Sequence, residues 1–272
     1  MQIIEVQFSP WDQKYFFLPP AGFNAFELLK NGVKVIAETT LGTDLGVIVG
    51  TGEFVEGSLP EGEELKAVAR LANAEDRLQY RALQQKKEEL LNTCRNLIRK
   101  YNLDMGLVDV RVSFDDARLT YAFTSDARVD FRELVKELIK LFHKNVRLQQ
   151  IGVRDAAKFN GDLGPCGRPV CCHTFLNELG NVSTDCAKCQ QITNRGSDRL
   201  SGVCNRLKCC LRYEQPVYEE LSKHLPLVGS KIKTKQGEGV VIGLLPLKSA
   251  VTVSLDAHDG ERNKLIEVEI QK

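Results

Sequence analysis

The sequence lacks an excess of either charge. Its 272 residues set 37 lysines and arginines against 36 aspartates and glutamates, leaving +1 at pH 7. That balance excludes a broad electrostatic footprint for nucleic acid. No apolar run reaches the roughly 18 residues needed to span a bilayer, and Met1 to Phe8 has neither the basic nor the apolar part of a leader. These absences predict a cytoplasmic chain without membrane insertion. There is no phosphate-cradling glycine loop, nucleotide fingerprint or Ser/His/Asp set, so no enzyme class is indicated. A closed disulfide set is missing too, because the cysteines number nine. In a reducing compartment, grouped thiols point to metal or redox chemistry.

What is present is ordinary globular material: 43% hydrophobic and 27% charged residues, in a length that suits two or three modules. The pattern predicts an α+β chain. Residues 1–72 read as β-rich, with β-prone runs at Ile3–Phe8, Tyr15–Leu18, Val33–Glu38 and Val47–Val49, broken by Pro10, Pro19-Pro20, Asn31-Gly32 and Gly50. Residues 73–105 read as a long helix capped by Asn73 with Asp76. Run unbroken to Tyr101, it would be ~40 Å long. Leu83, Leu90, Cys94, Leu97 and Tyr101 form its apolar stripe, which makes Cys94 a core residue, while the polar run Gln84 to Glu89 either protrudes or meets a partner, or belongs to an amphipathic helix lying on its own domain.

Residues 106–153 read as a β-β-α-β unit. Val108, Val110 and Val112 alternate with polar neighbours, Asp115-Asp116 turns the chain, and Leu119, Tyr121 and Phe123 alternate back. Asp130 and Glu133 suggest a capping box for a helix with Phe131, Leu134, Val135, Leu138, Ile139 and Phe142 on one face. Residues 154–215 form a cysteine-rich metal-binding region. Residues 226–272 read as four strands of a small SH3-like β-barrel, at Lys231–Thr234, Gly239–Leu244, Ala250–Leu255 and Leu265–Ile270, with turns at Gln236-Gly237, Pro246 and Asp259-Gly260.

The cysteines carry the chemistry. Eight of nine fall within 45 residues. Gly164-Pro165-Cys166-Gly167-Arg168-Pro169-Val170-Cys171-Cys172 and Gly202-Val203-Cys204-Asn205-Arg206-Leu207-Lys208-Cys209-Cys210 both read G-x-C-x-R-x-x-C-C, and Cys186-Ala187-Lys188-Cys189 lies between them. Short loops let two thiolates approach one metal, at about 2.3 Å for zinc, without a large closure cost. Adjacent cysteines in extended backbone point to opposite faces, so each pair can serve one site only from a turn or a helix start. Arg168 and Arg206 hold the same place in each repeat, where a cation favours thiolate over thiol. Eight thiolates suit two zinc ions or two iron–sulfur clusters equally.

Together with Arg154-Asp155-Ala156-Ala157-Lys158, the Asp126 to Val135 stretch, Gln150 to Asp155, Ile36 to Thr39 and Gly46, these residues resemble the YaaT (RicT) family of bacterial stage-zero-sporulation proteins with the polymerase-suppressor C-terminal domain. The resemblance implies a non-enzymatic regulatory adaptor carrying one or two four-iron four-sulfur (4Fe-4S) clusters. It also implies YlbF-like and YmcA-like helical partners, and assistance to RNase Y in messenger RNA maturation. The ligands it implies are Cys166, Cys171, Cys172, Cys204, Cys209 and Cys210. Cys186 and Cys189 depart from the family pattern, as do Asn205 in place of a glycine and His173 in place of a small polar residue. The extra pair either completes clusters that elsewhere borrow ligands from partners or marks a zinc-binding variant.

Two other classes compete. A zinc-stabilised RNA- or DNA-binding module draws on Arg154, Lys158, Arg168, Arg195, Arg199, Arg206 and Lys208, although near-neutral net charge predicts weak or indirect RNA contact. A thiol-redox enzyme built on Cys186 and Cys189 lacks the βαβ setting of thioredoxin chemistry.

Overall fold

The computed structural model describes residues 2–23, 32–39, 42–53, 65–176, 179–255 and 264–270. It is a mixed α+β chain that divides into two compact units, Met1–Asn160 and Gly161–Lys272. The boundary falls inside the segment 154–215.

In the first unit, β1 (Gln2–Gln7), β2 (Tyr15–Phe17), β3 (Lys34–Thr39), β4 (Gly42–Glu53) and β5 (Arg70–Leu71) form an antiparallel sheet in the order β2-β1-β4-β3-β5. The alternating apolar residues of the N-terminal runs supply its core: Ile4, Val6, Val35, Ala37 and Ile48 are all buried. Gly46 is required on β4, because a Cβ there would stand 2.3 Å from Val6 Cγ1. Asn31, part of one expected turn, lies outside the described residues.

Two helices follow where one was expected: α1 (Ala74–Gln85) and α2 (Lys87–Lys100). Asn73 and Asp76 do form the capping box. The chain turns at Lys86, inside the polar run, where no apolar side chain anchors the helix. Gln85, Lys86, Glu88 and Glu89 are exposed, and Lys87 reaches back to Asp109 at 2.7 Å. The β-β-α-β unit is present as β6 (Gly106–Val112), β7 (Arg118–Thr124), α3 (Arg132–Phe142) and β8 (Asn145–Gln150), with β6 antiparallel and β8 parallel to β7. A short helix, α4 (Val153–Asn160), ends the unit.

Leu90, Cys94 and Leu97 of α2 meet Val110, Leu119, Tyr121, Leu134 and Leu138 in one core, each large side chain contributing roughly 1.5–3 kcal/mol by burial. Cys94 is fully buried, as the stripe implied, and burial pushes its thiol up to about 12. The second expected capping box is absent. The N-cap of α3 is Phe131 without a side-chain bond; Asp130 accepts from the Arg132 backbone N–H at 3.2 Å and pairs with its guanidinium at 2.9 Å, while Glu133 pairs with Lys136 at 2.8 Å rather than reaching back.

In the second unit, β9 (Lys231–Thr234), β10 (Gly237–Leu245), β11 (Ala250–Leu255) and β12 (Leu265–Glu269) form an antiparallel sheet in the order β12-β11-β10-β9. Among the described residues this sheet is open, not a closed barrel. The expected turn at Asp259-Gly260 lies outside the described residues. The cysteine segment folds ahead of this sheet as α5 (Cys171–Thr174), α6 (Thr184–Cys189), α7 (Ser197–Leu200) and α8 (Cys209–Ser222). No described helix is long and apolar enough to cross a membrane.

Candidate metal centre

The two sequence repeats fold alike. In the first, Gly164 N–H donates to the Arg168 carbonyl at 2.8 Å, Gly167 N–H donates to the Gly164 carbonyl at 2.9 Å, and Leu163 bridges Pro169. In the second, Gly202 N–H donates to the Arg206 carbonyl at 2.8 Å, Asn205 N–H donates to the Gly202 carbonyl at 3.0 Å, and Ser201 bridges Leu207. The residue after each turn cysteine is left-handed, Gly167 at φ 74° and Asn205 at φ 57°. Asparagine tolerates that region, so it can stand where the other repeat has glycine.

Each turn then enters a helix through a near-identical cap, Val170 (φ −56°, ψ 132°) and Lys208 (φ −57°, ψ 133°). Cys171-Cys172 and Cys209-Cys210 are thus the first residues of α5 and α8. Both pairs occupy a helix start, the arrangement that lets neighbouring thiols serve one site.

The duplication extends further than the cysteines suggested. Phe175, the C-cap of α5, and Tyr213 in α8 each follow the first cysteine of their helix by four residues, and their rings meet edge to face with centroids 5.3 Å apart. The two repeats therefore contact each other through equivalent side chains. Cys171 is also an electrostatic neighbour of Cys210, whose thiol is held above its ordinary range by burial, Glu214 and Cys171. Cys166 is exposed, Cys172 and Cys186 are buried, and the remaining five of the eight are half-buried.

Cys186 and Cys189 share a face of α6, which Ser183 caps by accepting from Asp185 N–H at 3.3 Å. Burial raises the Cys189 thiol, and Glu219 and Cys186 add to the shift. The eight thiols are nevertheless not closed into a metal cage. Among the described residues no group of three or more His, Cys, Asp or Glu is placed to hold one ion. The donor chemistry fits thiolate-loving metal, and Cys171 lies near Cys210 and Cys186 near Cys189, with Tyr218 neighbouring both Cys189 and Cys210.

The Arg168 and Arg206 carbonyls close the two turns at their base, and their side chains are exposed, with no ion-pair or hydrogen-bond partner among the described residues. Arg154 lies in α4, in the other unit.

A second polar cluster went unread in the sequence. The polar neighbours of the β6 valines, Asp109 and Arg111, are buried. Trp11 Nε1–H donates to Asp109 at 2.6 Å, and Arg111 pairs with Asp12 at 2.8 Å and with Asp44 at 3.5 Å. A bulge between Leu107 and Asp109 interrupts the β6 register there. Alternation on β6 signals two faces but does not reveal that both are covered.

A tandem thiol module following an α+β unit defines the class, and comparison with known proteins places the chain more narrowly. The model of the PSP1 C-terminal conserved region matches residues 66–151, spanning β5 to β8, and the model of the PSP1-like protein third domain matches residues 181–225, spanning α6 to α8. The stage 0 sporulation protein YaaT of Bacillus subtilis is 38% identical over 268 residues, covering 97% of this chain and 92% of that protein. An uncharacterized protein of Schizosaccharomyces pombe is 27% identical over 95 residues, covering 35% of this chain and 13% of that protein. No solved structure matches. The chain belongs to the YaaT family of stage 0 sporulation proteins, as its cysteine repeats implied.

Proposed function

We propose that this chain is a sporulation-associated regulatory adaptor without catalytic activity, whose two cysteine repeats hold iron–sulfur. The observation that supports this reading is the duplicated turn-to-helix geometry, with a thiol in each turn and two at each helix start. Cys166, Cys171, Cys172, Cys204, Cys209 and Cys210 would hold the group. A four-iron four-sulfur cluster would supply a cross-link between the repeats that depends on redox state and metal supply, since structural metal binding is coupled to folding. The partners implied by resemblance, YlbF-like and YmcA-like helical proteins and RNase Y, would dock on a surface that this cross-link organises.

Anaerobic purification with iron, zinc and acid-labile sulfide analysis tests the reading. Brown protein with iron and sulfide in equal amounts is the expected result, and Cys209→Ser/Cys210→Ser should abolish both the colour and co-purification of partners from cell extract. Colourless protein with zinc and no sulfide would replace it with the second reading, a zinc-stabilised RNA- or DNA-binding module. That second reading is favoured by the unpartnered, exposed Arg168 and Arg206. In that case Arg168→Gln/Arg206→Gln would leave metal content intact and remove strongly salt-dependent RNA binding.

A further inference from the structure

We propose that the hollow where α2 ends and β6 begins docks an extended acidic peptide segment of a partner protein, seated by one aliphatic side chain and held by Arg95 and Arg99. The site lies within the first unit, so the inference does not rest on the metal assignment.

The hollow has a volume of about 350 Å³, and its lining divides by chemistry. Ile98, Leu103, Met105 and Leu107 supply an aliphatic floor, and Arg95 and Arg99 supply charge. Local geometry explains the floor. Asn102, left-handed at φ 49°, turns the chain out of α2, and Leu103 N–H donates to the Ile98 carbonyl at 3.1 Å. That closing turn brings Leu103 back beside the helix it follows.

The two arginines are exposed and one turn apart on α2, with roughly 6 Å between their Cβ atoms. Neither meets a carboxylate among the described residues. Arg95 donates to the neutral Asn92 side chain at 3.0 Å, and the Arg99 side chain has no partner there. Lys100, by contrast, is already paired with Glu137 at 2.8 Å. The helix dipole accounts for cations in the last turn, Arg99 and Lys100, but Arg95 lies further back. Asp104, the next acid along the chain, is not part of the lining.

The hollow also adjoins an open sheet edge. β6 is an edge strand, hydrogen-bonded in its sheet to β7 alone. Gly106 to Val108 are exposed or half-buried, whereas Asp109 to Val112 are buried. A free edge pairs with the backbone of an added segment, while a pocket takes one of its alternate side chains. The bulge between Leu107 and Asp109 limits such pairing to a few residues, so the aliphatic anchor and the two guanidiniums must supply much of the affinity. Met105 adapts to anchors of different shape. Other acidic macromolecules fit less well. Single-stranded nucleic acid is held by stacking on aromatic rings, and no ring lines the hollow. An anionic membrane calls for a cluster of about four to eight cations, and two are present.

The test titrates fluorescein-labelled short peptides, in which glutamate alternates with Leu, Ile, Val or Phe, with the full-length chain and follows anisotropy. At least one peptide should bind saturably, more weakly as salt rises, and should slow amide exchange from Met105 to Val108. Arg95→Glu/Arg99→Glu should weaken that binding about tenfold or more. Serine at the apolar positions of the peptide should do the same. Arg81→Glu, at an exposed position of α1 outside the lining, should bind like the wild type. All of these substitutions in the chain are at exposed positions, so the circular dichroism spectrum should not change. No saturable binding by any of the peptides would overturn the inference. So would an equal loss in Arg81→Glu, which would reduce the effect to overall charge. Oligouridine that displaces the peptide and slows the same amides would assign the hollow to nucleic acid instead.

Discussion

Asp44 shows how burial and ion pairing compete at a single residue. Its side chain is 1% exposed, and its two cations stand off at 3.5 Å (Arg111) and 3.8 Å (Arg118), while Arg111 gives its closer contact, 2.8 Å, to Asp12. Loss of solvation therefore outweighs the attraction of the guanidiniums, and the carboxyl is pushed up to about 6 from an ordinary 3.8. Between those values the folded chain binds more protons than the unfolded chain, so the contribution of Asp44 to stability falls as pH rises through that window. The gap between about 6 and 3.8 corresponds to roughly 3 kcal/mol. Asp44→Asn cannot titrate there. Urea unfolding of both proteins at pH 4 and pH 7 should show the wild type losing roughly 3 kcal/mol relative to Asp44→Asn on going to the higher pH. A difference that stays constant with pH would mean that the arginines hold Asp44 ionised throughout.

The turn of each cysteine repeat makes a prediction at the scale of one element. Gly167 and Asn205 hold the same left-handed position, at φ 74° and 57°. Asn205→Gly should leave the metal content unchanged and alter stability by only a few tenths of a kcal/mol. Asn205→Val, which brings a branched side chain into that region, should cost about 1–2 kcal/mol in chemical denaturation. Equal stability of the three proteins would show that the turn is not held in this conformation. Such elements were legible in advance because local chemistry decides them. The capping pair Asn73 and Asp76, the alternation that makes β6 and β7, and the repeat from Gly164 to Cys172 each act within a few residues. What could not be read depended on partners distant in sequence. The break at Lys86 answers to Asp109, 22 residues away along the chain from Lys87. The burial of Asp109 and Arg111 depends on Trp11 and Asp12, 98 and 99 residues earlier. The candidate site was legible in its donors and in the need for a helix start. The ring contact of Phe175 with Tyr213 was not, since nothing local says that two repeats 38 residues apart will meet.

At the scale of the molecule, the question is whether the repeats behave as one cooperative unit. Each is a short turn followed by a helix, and α5 has only four residues, too few to persist by helix propensity alone. The apolar cluster of the segment, Cys186, Ala187 and Leu211 with four partly buried neighbours, is small beside the core of the first unit. Metal should therefore carry much of the order between 162 and 215, whereas the first unit and the sheet β9 to β12 have apolar cores of their own. Since Phe175 meets Tyr213 and Cys171 neighbours Cys210, damage to either repeat should reach the other. Cys166→Ser removes one exposed thiol and no buried apolar surface, so an effect beyond its own turn would have to travel through the metal proposed to join the repeats and through these contacts. Amide hydrogen exchange on the anaerobic protein should show faster exchange around Cys204 to Tyr213 as well as around Leu163 to Thr174. Leu119 to Phe123 in the first unit and Val251 to Leu255 in the last sheet should keep wild-type protection. Exchange that rises only between Leu163 and Thr174 would mean that each repeat closes its own site, and the contact between the two aromatic rings would then be packing without coupling.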